Sequence, residues 1–379
     1  MAKKLHVALL FGGNSSEHDV SKRSAHNIYD AMDKDKYQVS LFMFTKDGYL
    51  LGNKDSKRIF DGEPEDAVVK DVYSRVDRTQ TLSPLMALNE VKDIDIFFPI
   101  IHGNIGEDGT IQGLFKLLNK PYVGSGVAAS AIAFDKDLTK RLLVQAGIRT
   151  APWVLLTPEN RSDYNWERIE EKLGDLVFLK PANQGSSVGI HRVTNAEEFV
   201  EGLDDSFTYD HKVLVEQGFD RPQEIEISIL GNEHPIASKL GAVVVPKNDP
   251  FYDYNNKFVD ASGVVFDLPP KLPQYLVDEI TQMALKAYRA LGLKGMTRMD
   301  FLVDSKNVPY LSEPNTLPGF TNISLYPQMW EISGINYSEL IDRLINLGLS
   351  EYKFNHQIRH SFQELGTEHV GKKNIRQDD

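Results

Sequence analysis

The clearest candidates for chemistry are an arginine, two carboxylates and an amide that recur at every second position of two neighbouring apolar segments. In chain order they are Arg298, Asp300, Glu313 and Asn315. Side chains two positions apart in a β-strand point to the same face, so all four project together if the segments form a hairpin. Carboxylate and amide oxygens are the ligands that Mg²⁺ prefers. The pattern indicates a magnesium site, but a solvated face with an ion pair between Arg298 and Glu313 explains the hairpin alone equally well.

The register of this hairpin follows from its expected turn. A four-residue turn at 304–307 would join the two strands and direct the alternating apolar residues of the first strand into a core. The predicted pairs across the strands are Val303 with Val308, Asp300 with Leu311, and Arg298 with Glu313.

A second candidate is the segment LKPANQGSSVG, which lies between two predicted strands. Small residues allow backbone N–H groups to approach a phosphate, and Lys180 adds a positive charge at the end of the first strand. A glycine-rich hairpin tip that is merely mobile is the alternative. The chain contains no GxxxxGK[ST] motif and no GxGxxG after its first strand, which excludes a P-loop and argues against a dinucleotide-binding fold. The segment therefore predicts a phosphate site covered by a β-hairpin.

Two further candidates lie in the N-terminal part of the chain. Glu17 follows Asn14 by three positions, a variant of the capping box, so it either caps the next helix or binds a ligand. His102 follows a buried strand, at the edge of the sheet where ligands bind in open α/β folds, although a histidine at a strand end can be purely structural. A functional role for both requires that they face one crevice.

The elements that must position these residues fall into three units. The predicted units are an open parallel α/β domain at 1–125, a smaller α+β unit at 126–215, and a unit of strands and helices with the hairpin at 216–355, followed by a polar tail at 356–379. In the first unit, apolar strands at 6–11, 39–44 and 93–101 alternate with helical segments, and residues 49–90 form a polar elaboration. The second unit opens with a single predicted helix at 128–147.

The overall composition limits the class of protein. The chain has 379 residues and a formal net charge of -12, so it lacks the basic surface that a nucleic acid or an anionic membrane requires. It contains no cysteine, which excludes disulfides, thiolate zinc sites and an enzyme-bound thioester. No secretory signal or membrane-spanning segment is recognisable. We therefore expect a cytoplasmic protein with small-molecule partners and no membrane partner.

Six motifs in the sequence are similar, in order and spacing, to those of one enzyme family. They are GGNSSEHDVS, HGNIGEDGTIQG, FDKDLTK, KPANQGSSVG, TRMDF and EPNTLPGFTNIS. From about residue 6 to residue 349 the chain resembles the D-alanine:D-alanine ligases and their D-alanine:D-lactate relatives of the ATP-grasp superfamily. The resemblance implies a three-domain ATP-grasp fold, with ATP between the second and third domains and the amino-acid substrate beside the first. It also implies a homodimer.

The resemblance implies a role for each candidate. Two Mg²⁺ ions, with Mn²⁺ as an alternative, would bind Asp300, Glu313 and Asn315. The nucleotide would contact Lys136, Lys180, Gln184, Ser187, Glu216, Glu224 and Lys257, although Glu224 follows Glu216 one residue later than usual. The substrates would contact Glu17, His102, Phe258, Ser324 and Leu325, and the catalytic residues would be Glu17, Ser186, Arg298 and Gly319.

The implied reaction is activation of a carboxylate by ATP. The first D-alanine would form a D-alanyl phosphate, and a second nucleophile would attack its carbonyl through an oxyanion stabilised by Arg298 and the Gly319 amide. An ATP-dependent phosphotransferase and a non-catalytic nucleotide-binding module are the alternatives from other classes. The phosphotransferase has no need for a second carboxylate pocket, and the module has no need to keep Glu17, Arg298, Asp300, Glu313 and Asn315.

The segment FYDYNNKFVD, residues 251–260, predicts the second substrate. Its aromatic residues and amides indicate a long ordered loop, which the resemblance makes a lid with Lys257 at the γ-phosphate. The dipeptide ligases usually carry tyrosine at the next position, where this chain has Phe258. Phenylalanine resembles the depsipeptide-forming branch and predicts a D-alanine:D-lactate ligase of peptidoglycan synthesis, connected with vancomycin resistance, that also makes D-alanyl-D-alanine. A strict D-alanine:D-alanine ligase is the alternative.

Overall fold

The N-terminal part of the chain is a four-stranded sheet covered by helices. The structure is a computed structural model, and it describes residues 3–75, 86–244 and 265–359. The strands are β1 (Leu5–Gly12), β2 (Tyr37–Phe44), β3 (Leu50–Leu51) and β4 (Ile96–Pro99), in the order β3-β2-β1-β4. Strand β1 pairs in parallel with both β2 and β4, and β3 pairs antiparallel with β2. The three predicted strands are confirmed as β1, β2 and β4.

Helices accompany this sheet, and some of them lie in residues 49–90, the predicted polar elaboration. They are α1 (His18–Ala31), α2 (Asn53–Phe60), α3 (Glu65–Arg75) and α4 (Thr110–Leu117), with a 3₁₀ helix at Met86–Val91. The predicted capping box of Asn14 and Glu17 is wrong. Helix α1 begins after both residues, and Glu17 is its N-cap without a side-chain capping bond.

The predicted second unit contains a fully antiparallel sheet and four α-helices. Its helices are α5 (Val127–Phe134), α6 (Lys136–Gln145), α7 (Trp166–Leu173) and α8 (Ala196–Tyr209), with a 3₁₀ helix at Arg161–Asp163. Its strands are β5 (Trp153–Leu156), β6 (Val177–Pro181), β7 (His191–Val193) and β8 (Val213–Gln217), in the order β5-β8-β6-β7. The two strands predicted around the glycine-rich segment are confirmed as β6 and β7.

The single helix predicted at 128–147 is wrong. The backbone of Asp135 is extended, and its carboxylate accepts from the amides of Asp137 and Leu138, so this residue ends α5 and caps the start of α6. The break turns Lys136 into the first residue of a new helix.

The third unit is a five-stranded antiparallel sheet. Its strands are β9 (Gln223–Gly231), β10 (Ile236–Val244), β11 (Val265–Asp267), β12 (Gly295–Val303) and β13 (Pro309–Asn315), in the order β11-β10-β9-β12-β13. The helices are α9 (Gln274–Ala290), α10 (Leu325–Ile332) and α11 (Tyr337–Asn355). Helix α9 packs on one face of this sheet through an apolar core.

Helix α11 returns to the N-terminal sheet. Leu340, Ile341 and Leu344 are buried in the same apolar cluster as Val7 and Leu9 of β1. At the helix surface, the Asp342 carboxylate accepts from the Tyr37 hydroxyl at 2.7 Å and from the Lys36 ammonium at 2.6 Å. Helix α11 is thereby held against the N-terminal sheet.

Candidate active site

The hairpin of β12 and β13 brings the four polar candidates together. Asp300 lies directly opposite Glu313, and Arg298 lies directly opposite Asn315. Met299, Phe301 and Val303 are buried, as the alternation predicts. The predicted pairs, however, are wrong, because the observed register differs from the predicted one along the whole hairpin.

Two local features change the register. The turn has five residues, since the Asp304 carboxylate accepts from the amides of Lys306 and Val308, both at 2.9 Å. A β-bulge then inserts Ser312 as an extra residue opposite the junction of Asp300 and Phe301. At Asp300 the two changes shift the partner by two positions. A shift of two keeps Arg298, Asp300, Glu313 and Asn315 on one face, whereas Leu311, before the bulge, pairs with Phe301 on the core face.

Arg298 is held between two carboxylates on this face. Its Nε and Nη2 donate to the two oxygens of Asp300 at 2.8 and 2.7 Å, and its Nε lies 2.9 Å from Oε2 of Glu226. Burial alone would lower the pKa of Arg298, but the carboxylates of Asp300 and Glu226 raise it well above its ordinary value. The guanidinium is therefore charged and fixed in orientation, as stabilisation of an oxyanion requires.

The oxygen atoms of the hairpin fit a magnesium ion in type. Asp300 and Glu313 are cross-strand neighbours, and the Asn315 amide nitrogen donates to Asp300 at 3.2 Å. Oε2 of Glu313 lies 3.8 Å from the Lys136 ammonium. Among the described residues, no three His, Cys, Asp or Glu side chains form a metal-binding group. Mg²⁺ usually takes one or two carboxylates and completes its octahedron with water and phosphate oxygens, so two carboxylates and an amide suffice.

The loop between β6 and β7 has an unusual backbone. Ser186 and Ser187 are both in the left-handed region, with φ of 54° and 60°, a conformation that is uncommon for residues other than glycine. Gly189 also has a positive φ, and a Cβ there would come within 2.5 Å of the Tyr209 ring. The backbone carbonyl of Gln184 accepts from the Lys136 ammonium, which ties this loop to the start of α6.

Glu17 and His102 belong to neighbouring loops, and the place where these loops meet the loop after β6 is called the crevice below. The Glu17 carboxylate accepts a hydrogen bond from the Ser186 hydroxyl, across 169 positions of sequence, so it binds the central loop instead of capping α1. The Ser15 hydroxyl accepts from the Glu17 amide at 3.2 Å and donates to the His102 carbonyl at 2.8 Å. The loops after β1 and β4 and the loop after β6 therefore meet at this crevice.

The His102 side chain connects the crevice to the segment after β13. Its Nδ1 lies 2.8 Å from the Leu317 carbonyl oxygen, whereas its buried Nε2 has no hydrogen-bond partner among the described residues. Nearby, the Glu107 carboxylate accepts from the amides of Gly103 and Leu317, both at 3.0 Å. Burial raises the pKa of Glu107. These contacts fasten the third unit to the N-terminal domain beside the crevice.

A helix N-terminus completes this side of the crevice. Ser324 is the N-cap of α10 and Leu325 its first residue, so the amides of this turn have no partner within the helix. The Ser324 hydroxyl accepts from the Thr321 amide at 3.0 Å, and a Cβ on Gly319 would lie 3.0 Å from that hydroxyl oxygen. A helix N-terminus with free amides is suited to bind a carboxylate.

Glu216 on β8 lies between two lysines. Its Oε1 is 2.5 Å from the Lys180 ammonium and its Oε2 is 2.6 Å from the Lys140 ammonium. Burial alone would raise the pKa of Glu216, but the two ammonium groups lower it to about 2. Glu216 is therefore a buried carboxylate that remains ionised at neutral pH.

Two predicted residues lie outside the described structure. Lys257 and Phe258 belong to residues 245–264, which the structure does not describe. Glu224 is described and lies half-buried on β9, opposite Leu302 of β12. Its role in the nucleotide site stays a prediction.

Three residues of this region escaped the sequence predictions. Glu226 could have been found from the alternation of polar and apolar residues in EIEIS, which places it on the face of Glu224. Lys140 is four residues after Lys136 and therefore on the same face of a helix. Glu107 had no local signal beyond its motif, because its partners are far away in sequence.

Comparisons with known proteins agree along the whole chain. Residues 6–125 match the family described as D-ala D-ala ligase N-terminus, and residues 142–346 match D-ala D-ala ligase C-terminus. The chain is 75% identical over 378 residues to the D-alanine–D-alanine ligase of Limosilactobacillus reuteri, with 100% of both chains covered.

Solved structures show the same similarity in three dimensions. The D-alanine-D-alanine ligase from Coxiella burnetii has a TM-score of 0.78 and 34% identity, covering 93% of this chain and 98% of that one. The Bacillus anthracis D-alanine–D-alanine ligase complexed with ATP has a TM-score of 0.71 and 27% identity, covering 93% and 100%. The predicted fold class, a mixed α/β and α+β ATP-grasp fold with an N-terminal open parallel sheet, is confirmed.

Proposed function

Because this chain belongs to the D-alanine–D-alanine ligase family, we propose that it is an ATP-dependent ligase that joins two D-alanine molecules for peptidoglycan synthesis. The observation that carries this proposal is the meeting of two half-sites. The hydrogen bond from Ser186 to Glu17 joins the predicted phosphate loop to the predicted amino-acid crevice. A nucleotide-binding module would need the first half-site alone, and a phosphotransferase would not need a second carboxylate pocket.

One set of described residues would bind the nucleotide, and another set would bind the substrates. We place the phosphates beside Lys136, Lys180 and the Ser186–Ser187 backbone, where positive charge and backbone N–H groups are concentrated. Mg²⁺ held by Asp300, Glu313 and Asn315 would neutralise phosphate charge, as it does in other phosphoryl-transfer enzymes. A similar protein of solved structure is complexed with ATP, which supports a nucleotide site in this chain.

The substrates would lie between Glu17 and the N-terminus of α10. Glu17 would bind the ammonium group of the first D-alanine, whose carboxylate attacks the γ-phosphorus of ATP to give D-alanyl phosphate and ADP. The Ser324 hydroxyl and the Leu325 amide would bind the carboxylate of the second D-alanine. Its uncharged amine attacks the acyl carbon, phosphate leaves, and the amine loses a proton. Arg298 and the Gly319 amide would stabilise the intermediate oxyanion.

The product mixture tests this proposal. We expect purified protein with ATP, Mg²⁺ and D-alanine to form D-alanyl-D-alanine, with one ADP and one phosphate for each dipeptide, as measured by mass spectrometry and a phosphate assay. ADP formation that requires D-alanine but yields no condensed product would instead identify a phosphotransferase. ATP binding without turnover would identify a binding module.

D-Lactate as the second substrate is a second candidate, which the sequence at Phe258 favours. The relatives described above are named for D-alanine, so they support the strict D-alanine ligase better than the predicted D-lactate branch. The predicted link to vancomycin resistance depends on the same residue. The homodimer and the cytoplasmic location also stay predictions.

Phe258→Tyr tests the contribution of this position. If Phe258 permits D-lactate to react, the variant should lower the ratio of D-alanyl-D-lactate to D-alanyl-D-alanine about tenfold or more, because a tyrosine hydroxyl can add one hydrogen bond to a charged group. The ratio should be measured with both substrates saturating at several pH values. It should fall as pH rises, because more of the competing amine is uncharged. Absence of the ester from wild-type protein at about pH 6 would leave the strict D-alanine ligase.

A further inference from the structure

Lys140 is a buried lysine that the reaction described above does not use. Its side chain is 1% exposed and extends from α6 to Glu216 of β8. The ammonium donates to the Thr150 hydroxyl at 2.8 Å and to the Ala151 carbonyl at 2.9 Å, and lies 2.6 Å from Glu216. Three acceptors match the three N–H groups of a protonated lysine. Lys140 is therefore held in one position and cannot reach a ligand.

Lys180 binds the same carboxylate but is placed differently. It lies on β6 just before the glycine-rich loop, and its side chain is 14% exposed. In this structure its ammonium is 2.5 Å from Oε1 of Glu216. A lysine in this position can turn from Glu216 to a phosphate under the loop.

The two predicted roles of this cluster conflict unless a third charge is present. When Lys180 turns to a phosphate, its contact with Glu216 weakens, and the buried charge of Glu216 then needs a second cation. Removal of one partner from a buried ion pair is strongly unfavourable, because the remaining charge is desolvated. Lys140 removes this penalty, since it stays on Oε2 of Glu216 whatever Lys180 does.

We propose that Lys140 is a positioning residue, a fixed counter-ion of Glu216 that releases Lys180 to bind the phosphates of the nucleotide. The proposal rests on the nucleotide-binding function given above. It predicts different roles for the two lysines that contact this carboxylate. Lys140 neutralises Glu216 permanently, whereas Lys180 exchanges between Glu216 and the ligand. If Lys140 only filled space in the interior, its replacement would affect the binding of all ligands of the site alike.

Calorimetric titration with ADP and with adenosine, both in Mg²⁺ buffer, distinguishes these roles. In Lys140→Met, Lys180 is the sole remaining counter-ion of Glu216, so we expect ADP to bind about tenfold more weakly or worse, while adenosine affinity stays within about threefold. Adenosine lacks phosphates and does not need Lys180. Lys36→Met, which removes the ion pair with Asp342 far from this cluster, is the matched control and should leave both affinities unchanged.

A double variant sharpens the test. Glu216→Gln keeps an acceptor oxygen but removes the charge that retains Lys180. In the Glu216→Gln background, Lys140→Met should therefore change the ratio of ADP to adenosine affinity by less than about threefold. Melting curves establish folding, and Lys140→Gln replaces Lys140→Met if the latter does not fold.

The outcomes separate the inference from the proposed function. Equal losses for ADP and adenosine, or equal losses of ADP affinity in both backgrounds, would show that Lys140 is only structural. Wild-type protein that binds neither ligand would refute the nucleotide site itself. If wild-type protein binds ADP and Lys140→Met binds it with the same affinity, the counter-ion role alone is refuted.

Discussion

Glu313→Gln is expected to abolish ADP formation while the protein remains folded. The substitution keeps the volume of the side chain and one acceptor oxygen but removes the negative charge that faces Asp300 across the hairpin. A bound metal ion contributes several kcal/mol to stabilisation of the transition state, so loss of a charged ligand should lower kcat by about 10³-fold or more. The measurement is ADP release at saturating ATP and D-alanine.

The control for this prediction is a glutamate of similar chemistry outside the site. Glu339→Gln removes a carboxylate from α11, where it pairs with Arg343 on the surface, and should leave turnover unchanged. A titration with Mg²⁺ adds a second criterion, because a weakened metal site should be partly restored at high ion concentration. Turnover near the wild-type rate at ordinary Mg²⁺ would mean that the hairpin carries only a solvated polar face.

Within each strand of the hairpin, the side chains that share a face could be predicted from sequence, because successive side chains point to opposite faces. Alternation placed Arg298 and Asp300 on one side, and Glu313 joined them because two unpredicted one-residue insertions together shifted the register by an even number of positions. The insertions themselves depend on the carboxylate of Asp304 and on a bulge. Neither has a periodic signal, so the predicted residue pairs were wrong although the four polar residues do share one face of the hairpin.

Contacts between distant segments are the part that sequence could not provide. The pattern around Glu17 allowed a helix cap or a ligand site, and only the fold brings Ser186 to its carboxylate. The buried lysine cluster is similar, because Lys140 and Glu216 come from a helix and a strand of the same unit with no local pattern in common. The break at Asp135 is different: aspartate favours N-caps, so this break was predictable and was missed.

Substitution of Arg298 is expected to have the second large effect on turnover, and the structure changes which substitution should be used to test it. Arg298→Ala would leave Asp300 and Glu226 facing each other without their cation, so it would destabilise the fold by about 3–5 kcal/mol as well as remove an oxyanion donor. Thermal unfolding of this variant should show that loss directly. A lower rate for Arg298→Ala alone could therefore not be assigned to loss of folded protein or to loss of catalysis.

Arg298→Lys separates the two effects, because it keeps the positive charge between the carboxylates but lacks the fork that donates to both oxygens of Asp300. We expect its melting temperature to stay close to that of the wild type. Its kcat should fall by about 10²-fold or more, the cost of one misplaced oxyanion donor, while the KM for ATP changes little. The rates of ADP release and of dipeptide formation should both be measured. A raised KM for ATP with unchanged kcat would place Arg298 in ground-state binding of the nucleotide, and the charge it stabilises would then not be the oxyanion of the condensation step.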